Sequence, residues 1–168
     1  VEMPRDGVTT GEVVARAPWL NAKYLKNPDA TSALWEGDYL HTGDVGHIDE
    51  AGTLMITDRM KDVIKSGGEW VSSLELESLA SAVDGVAEVA AIGIPDEKWG
   101  ERPLLLIVAR DGADEGAIRD GIAAAAQAAV AAGDLSKWAV PDQFRFVTEI
   151  AKTSVGKIDK KRLRTEVA

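Results

Sequence analysis

Ile-Thr-Asp-Arg-Met-Lys-Asp-Val-Ile-Lys-Ser-Gly-Gly-Glu-Trp-Val-Ser-Ser-Leu-Glu, residues 56–75, packs charge, glycine and a helix start too tightly for an ordinary connector. The β-branched and apolar run Thr53 to Thr57 leading into it predicts a strand. Asp58, Arg59, Lys61 and Asp62 then place four charged groups where that strand gives way to a loop, a common location for binding groups. Val63-Ile64 resumes an apolar strand, and Gly67-Gly68 stops it with residues free to adopt positive φ or to admit another backbone. Ser72 and Glu75 have capping-box spacing, so a helix is expected to start there and bury Leu76, Leu79, Ala80 and Val83. On pattern alone this is a hairpin with a solvated turn followed by a packing helix.

Upstream, Gly11 to Ala17 has strand composition, and Asn27-Pro28 supplies a cap and a first-turn proline for a short helix over Asp29 to Leu34. Trp19, Tyr24, Trp35 and Tyr39 surround it and are expected to form core or a subunit contact. Tyr39 to Asp44 ends in Thr-Gly-Asp, which on its own is an ordinary turn, and Asp49 to Gly52 reads as a tight turn between strands.

Downstream, Val86 to Pro95 and Leu104 to Ala109 predict two buried strands. Asp96 to Pro103 between them is read as a charged loop, with Trp99 packing and Glu101 or Arg102 pairing locally. Asp114 to Ala132 is an alanine-rich helix ended by Gly133, and Gln143 to Val147 a final alternating strand. Lys152 to Lys157 is a loop with a lysine at each end. Asp159 caps a closing helix whose Lys160, Lys161, Arg162 and Arg164 are expected to form a solvated basic face, or alternatively to meet phosphates. From Val63 onward the order predicts a compact α+β domain, a small mixed sheet flanked by helices, preceded by a β-rich segment.

The 168 residues suffice for one ordinary domain, or a small domain plus part of another, and 45% hydrophobic content predicts a core. A net charge of −9 argues against a nucleic-acid surface, so a phosphate-bearing partner must be met by a few placed cations. Without cysteine there is no disulfide framework, thiolate metal site or cysteine nucleophile. The lack of a long uncharged apolar run or signal sequence predicts no transmembrane segment and a cytoplasmic protein. A chain opening at Val1 suggests a piece of something longer.

His41-Thr42-Gly43-Asp44, the 56–75 run and Lys152-Thr153-Ser154-Val155-Gly156-Lys157, in this order, resemble the adenylate-forming (AMP-binding, acyl-CoA synthetase) superfamily, specifically its fatty-acyl-CoA synthetase branch. The resemblance runs from Gly11 to Arg164. It implies ATP or AMP and coenzyme A as ligands, Mg2+ accompanying ATP, and a carboxylic (fatty) acid substrate. It also implies that Asp44 and Arg59 hold the ribose hydroxyls, that Lys61 is a hinge, and that Lys157 is the adenylation lysine. After a rotation about the hinge, Lys65, Gly67, Gly68, Glu69 and Trp70 would line the coenzyme A passage. Residues 1–60 would then end a large N-terminal domain and 61–168 form a mobile lid. Ala151 stands where the family usually has proline, and no Ser/Thr/Gly-rich phosphate loop or acyl pocket is present. The chain alone is therefore expected to be inactive in the overall reaction. The competing readings are an adenylation domain that loads a carrier protein and a non-catalytic nucleotide-binding or interaction module.

Overall fold

The computed structural model describes residues 2–167. It divides into two compact units, one ending at Lys61 and one starting at Asp62.

The first unit is an antiparallel three-stranded sheet, β1 (Gly11–Ala15), β2 (Leu40–Ile48) and β3 (Leu54–Arg59), in that spatial order. Helix α1 (Pro28–Leu34) lies between β1 and β2 in sequence; the Asn27 side chain accepts from Ala30 N–H and Pro28 needs no hydrogen-bond partner at N1. Asp49 closes the β2–β3 turn by accepting from Thr53 N–H at 2.7 Å. β2 runs through the Thr-Gly-Asp that on its own is an ordinary turn: Asp44 sits inside the strand, paired in register with Arg59. The aromatic cluster forms no core in this unit, because Trp19, Tyr24 and Tyr39 are all exposed. Leu54, Met55 and Ile56 are also roughly half exposed, so part of β3 carries apolar side chains without cover from this unit.

The second unit is α+β. Its mixed sheet contains β4 (Ile64–Ser66), β5 (Glu69–Val71), β6 (Val86–Asp96), β7 (Gly100–Ala109) and β8 (Gln143–Phe146). The order is β5-β4-β7-β6, with β8 parallel to β7 and the other pairs antiparallel. Strand alternation sorts the sheet's side chains into two cores. Val89, Ala91, Leu105 and Ile107 pack with helices α2 (Ser73–Ser81) and α3 (Glu115–Ala132). Ala90, Ile92, Leu104 and Leu106 pack on the opposite face with Ile150 and with Leu163 of helix α4 (Lys160–Val167). Leu76 and Ala80 are fully buried on α2, and Leu79 and Val83 are partly so. Burying a leucine of this kind stabilises by about 1.5–3 kcal/mol.

Helix ends follow their caps. Ser72 accepts from Glu75 N–H at 3.1 Å, Asp114 accepts from Ala117 N–H at 2.7 Å, and Gly133 ends α3 in the left-handed region at φ 84°. The charged segment 96–103 is not a loop over its length. β6 runs to Asp96 and β7 starts at Gly100, because the Asp96 carboxylate accepts from Lys98 and Trp99 N–H and folds the tip into a short turn.

Candidate functional site

Three groups of side chains carry the candidate chemistry. In the first unit, Asp44 and Arg59 face each other across β2 and β3, with Arg59 Nε 2.7 Å from Asp44 Oδ1. Arg59 is mostly exposed and Asp44 partly so. The backbone around Asp44 is tied down: Asp44 N–H donates to Thr42 Oγ1, Thr42 Oγ1 donates to Val13 C=O, and Met60 N–H donates to Gly43 C=O. His41 places one ring nitrogen 2.7 Å from a Glu12 carboxylate oxygen and the other 3.0 Å from Glu36 C=O. Both partners are acceptors, so the doubly protonated ring fits, and the Glu12 hydrogen bond raises the His41 pKa above its ordinary value. Asp58, one of the charged group at the strand end, is instead buried, with Oδ1 accepting Arg59 N–H.

Lys61 is exposed in the turn after β3, at the boundary between the two units. The next residue, Asp62, is held by Arg164 of α4 at 3.2 Å. Arg164 therefore does not belong to a free basic face.

In the second unit, β4 and β5 form a hairpin whose two turn residues, Gly67 and Gly68, have φ of 63° and 84°. Successive positive φ is the hairpin turn that matches strand twist. The two glycines differ in surroundings. A Cβ on Gly67 would lie 2.7 Å from the Trp138 ring, whereas one on Gly68 would meet nothing within 4 Å. Gly67 is bare because Trp138 occupies its side; Gly68 leaves open space. Lys65, Glu69 and Trp70 are exposed on the flanking strands, Lys65 N–H donates to Glu101, and Glu69 accepts from Ser136 Oγ.

Beside this turn Trp99 packs as expected, within a group whose other members the sequence did not mark. Trp99 and Trp138 pack with ring centroids 4.5 Å apart, Lys98 Nζ stands 4.4 Å from the Trp99 ring and Lys137 Nζ 5.0 Å from the Trp138 ring. Arg102 does not pair locally. Its guanidinium is largely buried and donates to Ser66 Oγ, Trp138 C=O, Val140 C=O and Asp142, fixing the Trp138 segment against β4. These partners are distant in sequence, so no local pattern reveals them.

Lys157 stands exposed at the end of a small closed loop. Thr153 N–H donates to Lys157 C=O at 2.7 Å, Gly156 N–H to Thr153 C=O at 2.9 Å, and Lys152 bridges Ile158. Lys152 Nζ lies 2.6 Å from Glu88 Oε1 on β6. Lys160 overturns the expected basic face: it is buried, 2.7 Å from Glu77 Oε1 and 2.6 Å from Ser73 Oγ on α2. Leaving water costs an ammonium several kcal/mol, so it turns inward only where a carboxylate receives it. Among the described residues there is no group of three His, Cys, Asp or Glu placed to hold a metal ion. No helix among them is long and apolar enough to cross a membrane.

The α+β unit, with its glycine hairpin and exposed loop lysine, belongs to a known class: residues 75–157 match the model of the AMP-binding enzyme C-terminal domain. The chain is a member of the adenylate-forming, AMP-binding superfamily. It is 40% identical over 165 residues to a 3-methylmercaptopropionyl-CoA ligase of Ruegeria lacuscaerulensis, covering 98% of this chain and 29% of that protein. It is 39% identical over 171 residues to a long-chain-fatty-acid–CoA ligase of Thermus thermophilus, with the same coverage. Among solved structures, the amide bond synthetase McbA from Marinactinospora thermotolerans superposes with a TM-score of 0.81 at 33% identity, over 99% of this chain and 32% of that one. The chain thus spans under a third of the length of these relatives.

Proposed function

We propose that this chain is the C-terminal lid, with the adjoining end of the large domain, of an ATP-dependent acyl-CoA ligase acting on a medium- or long-chain fatty acid. In the first half-reaction a carboxylate oxygen bonds to the α-phosphorus of ATP and pyrophosphate leaves. Negative charge builds on the phosphoryl oxygens and the leaving group, and a placed cation stabilises it. Lys157 supplies that cation. Asp44 accepts from the ribose hydroxyls and Arg59 completes the contact.

In the second half-reaction the coenzyme A sulfur bonds to the acyl carbon and AMP leaves. Here the second unit turns about Lys61, withdraws Lys157 and offers the glycine hairpin. The open side of Gly68 admits the pantetheine arm, while Lys65, Glu69 and Trp70 border its passage. Gly67 contributes by letting Trp138 close against the turn. Supporting this division, the chain breaks into units at residue 61, and the half-exposed Leu54, Met55 and Ile56 suit a surface that a larger domain covers.

The observation that carries the reading is an exposed lysine closing a braced loop, in a unit whose bare glycine turn is built separately from it. In the intact enzyme, Lys157→Ala should abolish acyl-adenylate formation and spare thioester formation from supplied adenylate. Equal loss of both would refute it. The likeness to an amide bond synthetase favours a second reading, in which the acyl adenylate passes to an acceptor other than coenzyme A. Trapping the acyl group with free coenzyme A, a carrier protein or an amine separates the acceptors.

A further inference from the structure

The loop that presents Lys157 is closed on itself by backbone hydrogen bonds, including Asp159 N–H to Ala151 C=O at 2.8 Å. A closed loop of this size can still tilt as a unit. Ala151 puts no ring restraint on φ in its entering leg. Ala151 and Ile158 at its base pack on the core cluster that includes Ile150 and Leu163, and a lysine on each leg adds a directional tie to the domain body. Lys152 on the entering leg reaches Glu88 of β6 at 2.6 Å. Lys160, at the start of α4 on the leaving leg, reaches Glu77 and Ser73 of α2.

The second tie is the more demanding arrangement. Lys160 and Glu77 have side chains only 8% and 15% exposed, against 46% and 33% for Lys152 and Glu88. Glu77 Oε1 also accepts Ala91 N–H from β6 at 2.9 Å, so one carboxylate joins the edge strand, α2 and the foot of the loop. α4 packs on one face of the sheet and α2 on the other, and Lys160 connects them around the β6 edge. A buried ion pair is seldom a net source of stability compared with apolar packing. Its directional hydrogen bonds do fix one geometry.

We propose that Lys160 and Lys152, through Glu77 and Glu88, are positioning residues that set the pose of the Lys157 loop on the body of the lid. The loop then moves only as the whole unit moves. Lys157 meets the phosphoryl oxygens at a point fixed by α2 and β6, and the buried Lys160–Glu77 tie dominates because the exposed Lys152–Glu88 pair is screened by water. This inference rests on the reading of Lys157 as the adenylation lysine.

The test uses the intact ligase carrying this chain. A Lys160→Met, Glu77→Gln double variant removes both charges together and keeps an oxygen for Ala91 N–H. Misplacing a catalytic group by an ångström costs on the order of 100-fold, so single-turnover adenylate formation should fall about 10- to 100-fold. Thioester formation from supplied adenylate should stay within about twofold, a split that general loss of structure does not produce. Glu77→Asp retains both charges and shortens the tie by one methylene; it decides the question should the double variant not fold, and the same split is expected. Equal loss in both half-reactions, or an unchanged adenylation rate, overturns the proposal. Lys157→Ala runs alongside. If that variant still forms adenylate, the reading of Lys157 has failed; if it does not and the tie variants show no split, the positioning role alone has failed.

Discussion

Alanine at Gly67 should cost the second unit far more than alanine at Gly68, although the two residues are neighbours in one turn with similar positive φ. An L-residue in the left-handed region costs about 1–2 kcal/mol, and both variants bear that term. At Gly67 the new methyl would also lie 2.7, 2.9 and 3.0 Å from three Trp138 ring carbons. That indole has little freedom to retreat, since it packs on Trp99 and its carbonyl accepts from Arg102. Overpacking of this kind adds about 1–3 kcal/mol. The expected totals are therefore about 2–5 kcal/mol for Gly67→Ala and about 1–2 kcal/mol for Gly68→Ala. With a urea slope of about 2 kcal/mol/M, the Gly67 midpoint should drop by roughly 1–2.5 M and the Gly68 midpoint by about 0.5–1 M. The assay is urea unfolding followed by tryptophan fluorescence and near-ultraviolet circular dichroism. A Gly67→Ala, Trp138→Ala double variant should show a favourable coupling of about 1–3 kcal/mol, because the clash is removed with the ring. Equal costs for the two single variants, or no coupling to Trp138, would refute the packing account of Gly67.

The His41–Glu12 pair predicts a pH dependence in the first unit. Because the folded His41 pKa lies above its ordinary 6.5, the pair's contribution is complete below that value and is lost as pH rises through the raised one. Thermal melts between pH 6 and 9 should show this decline, and Glu12→Gln should flatten it. Helix phasing is tested on α2: Leu76→Ala, at a fully buried position, should cost about 2–5 kcal/mol, while Leu74→Ala, 47% exposed, should stay within about 0.5 kcal/mol in the same urea assay.

Features set by neighbouring residues were legible before the fold was known. The Gly67-Gly68 turn, the Ser72 cap on α2 and the Asp114 and Gly133 ends of α3 all follow from interactions within a few residues, and the apolar runs of β6 and β7 mark buried strands by composition. What was hidden depends on distance along the chain. Lys160 looks like one more surface cation because Ser73, which it touches, lies 87 residues earlier. Arg102 meets Trp138 and Val140 across separations of 36 and 38 residues, and Trp138 in turn explains Gly67. The charged 96–103 segment misled because a single carboxylate, Asp96, folds its tip and lets both strands continue past it. Asp44 and Arg59 could be singled out only through the family resemblance, since their meeting at 2.7 Å depends on strand register.

The central claim is that one body serves two half-reactions with two separate parts, and the most direct measurement is the pair of half-reaction rates in Lys157→Ala and Lys61→Pro versions of the intact enzyme. The account predicts opposite losses: Lys157→Ala stops adenylate formation and spares thioester formation, whereas Lys61→Pro, which restricts φ at the unit boundary, spares the first and stops the second. Parallel losses in both variants, or a Lys61→Pro enzyme indistinguishable from the parent, would contradict it.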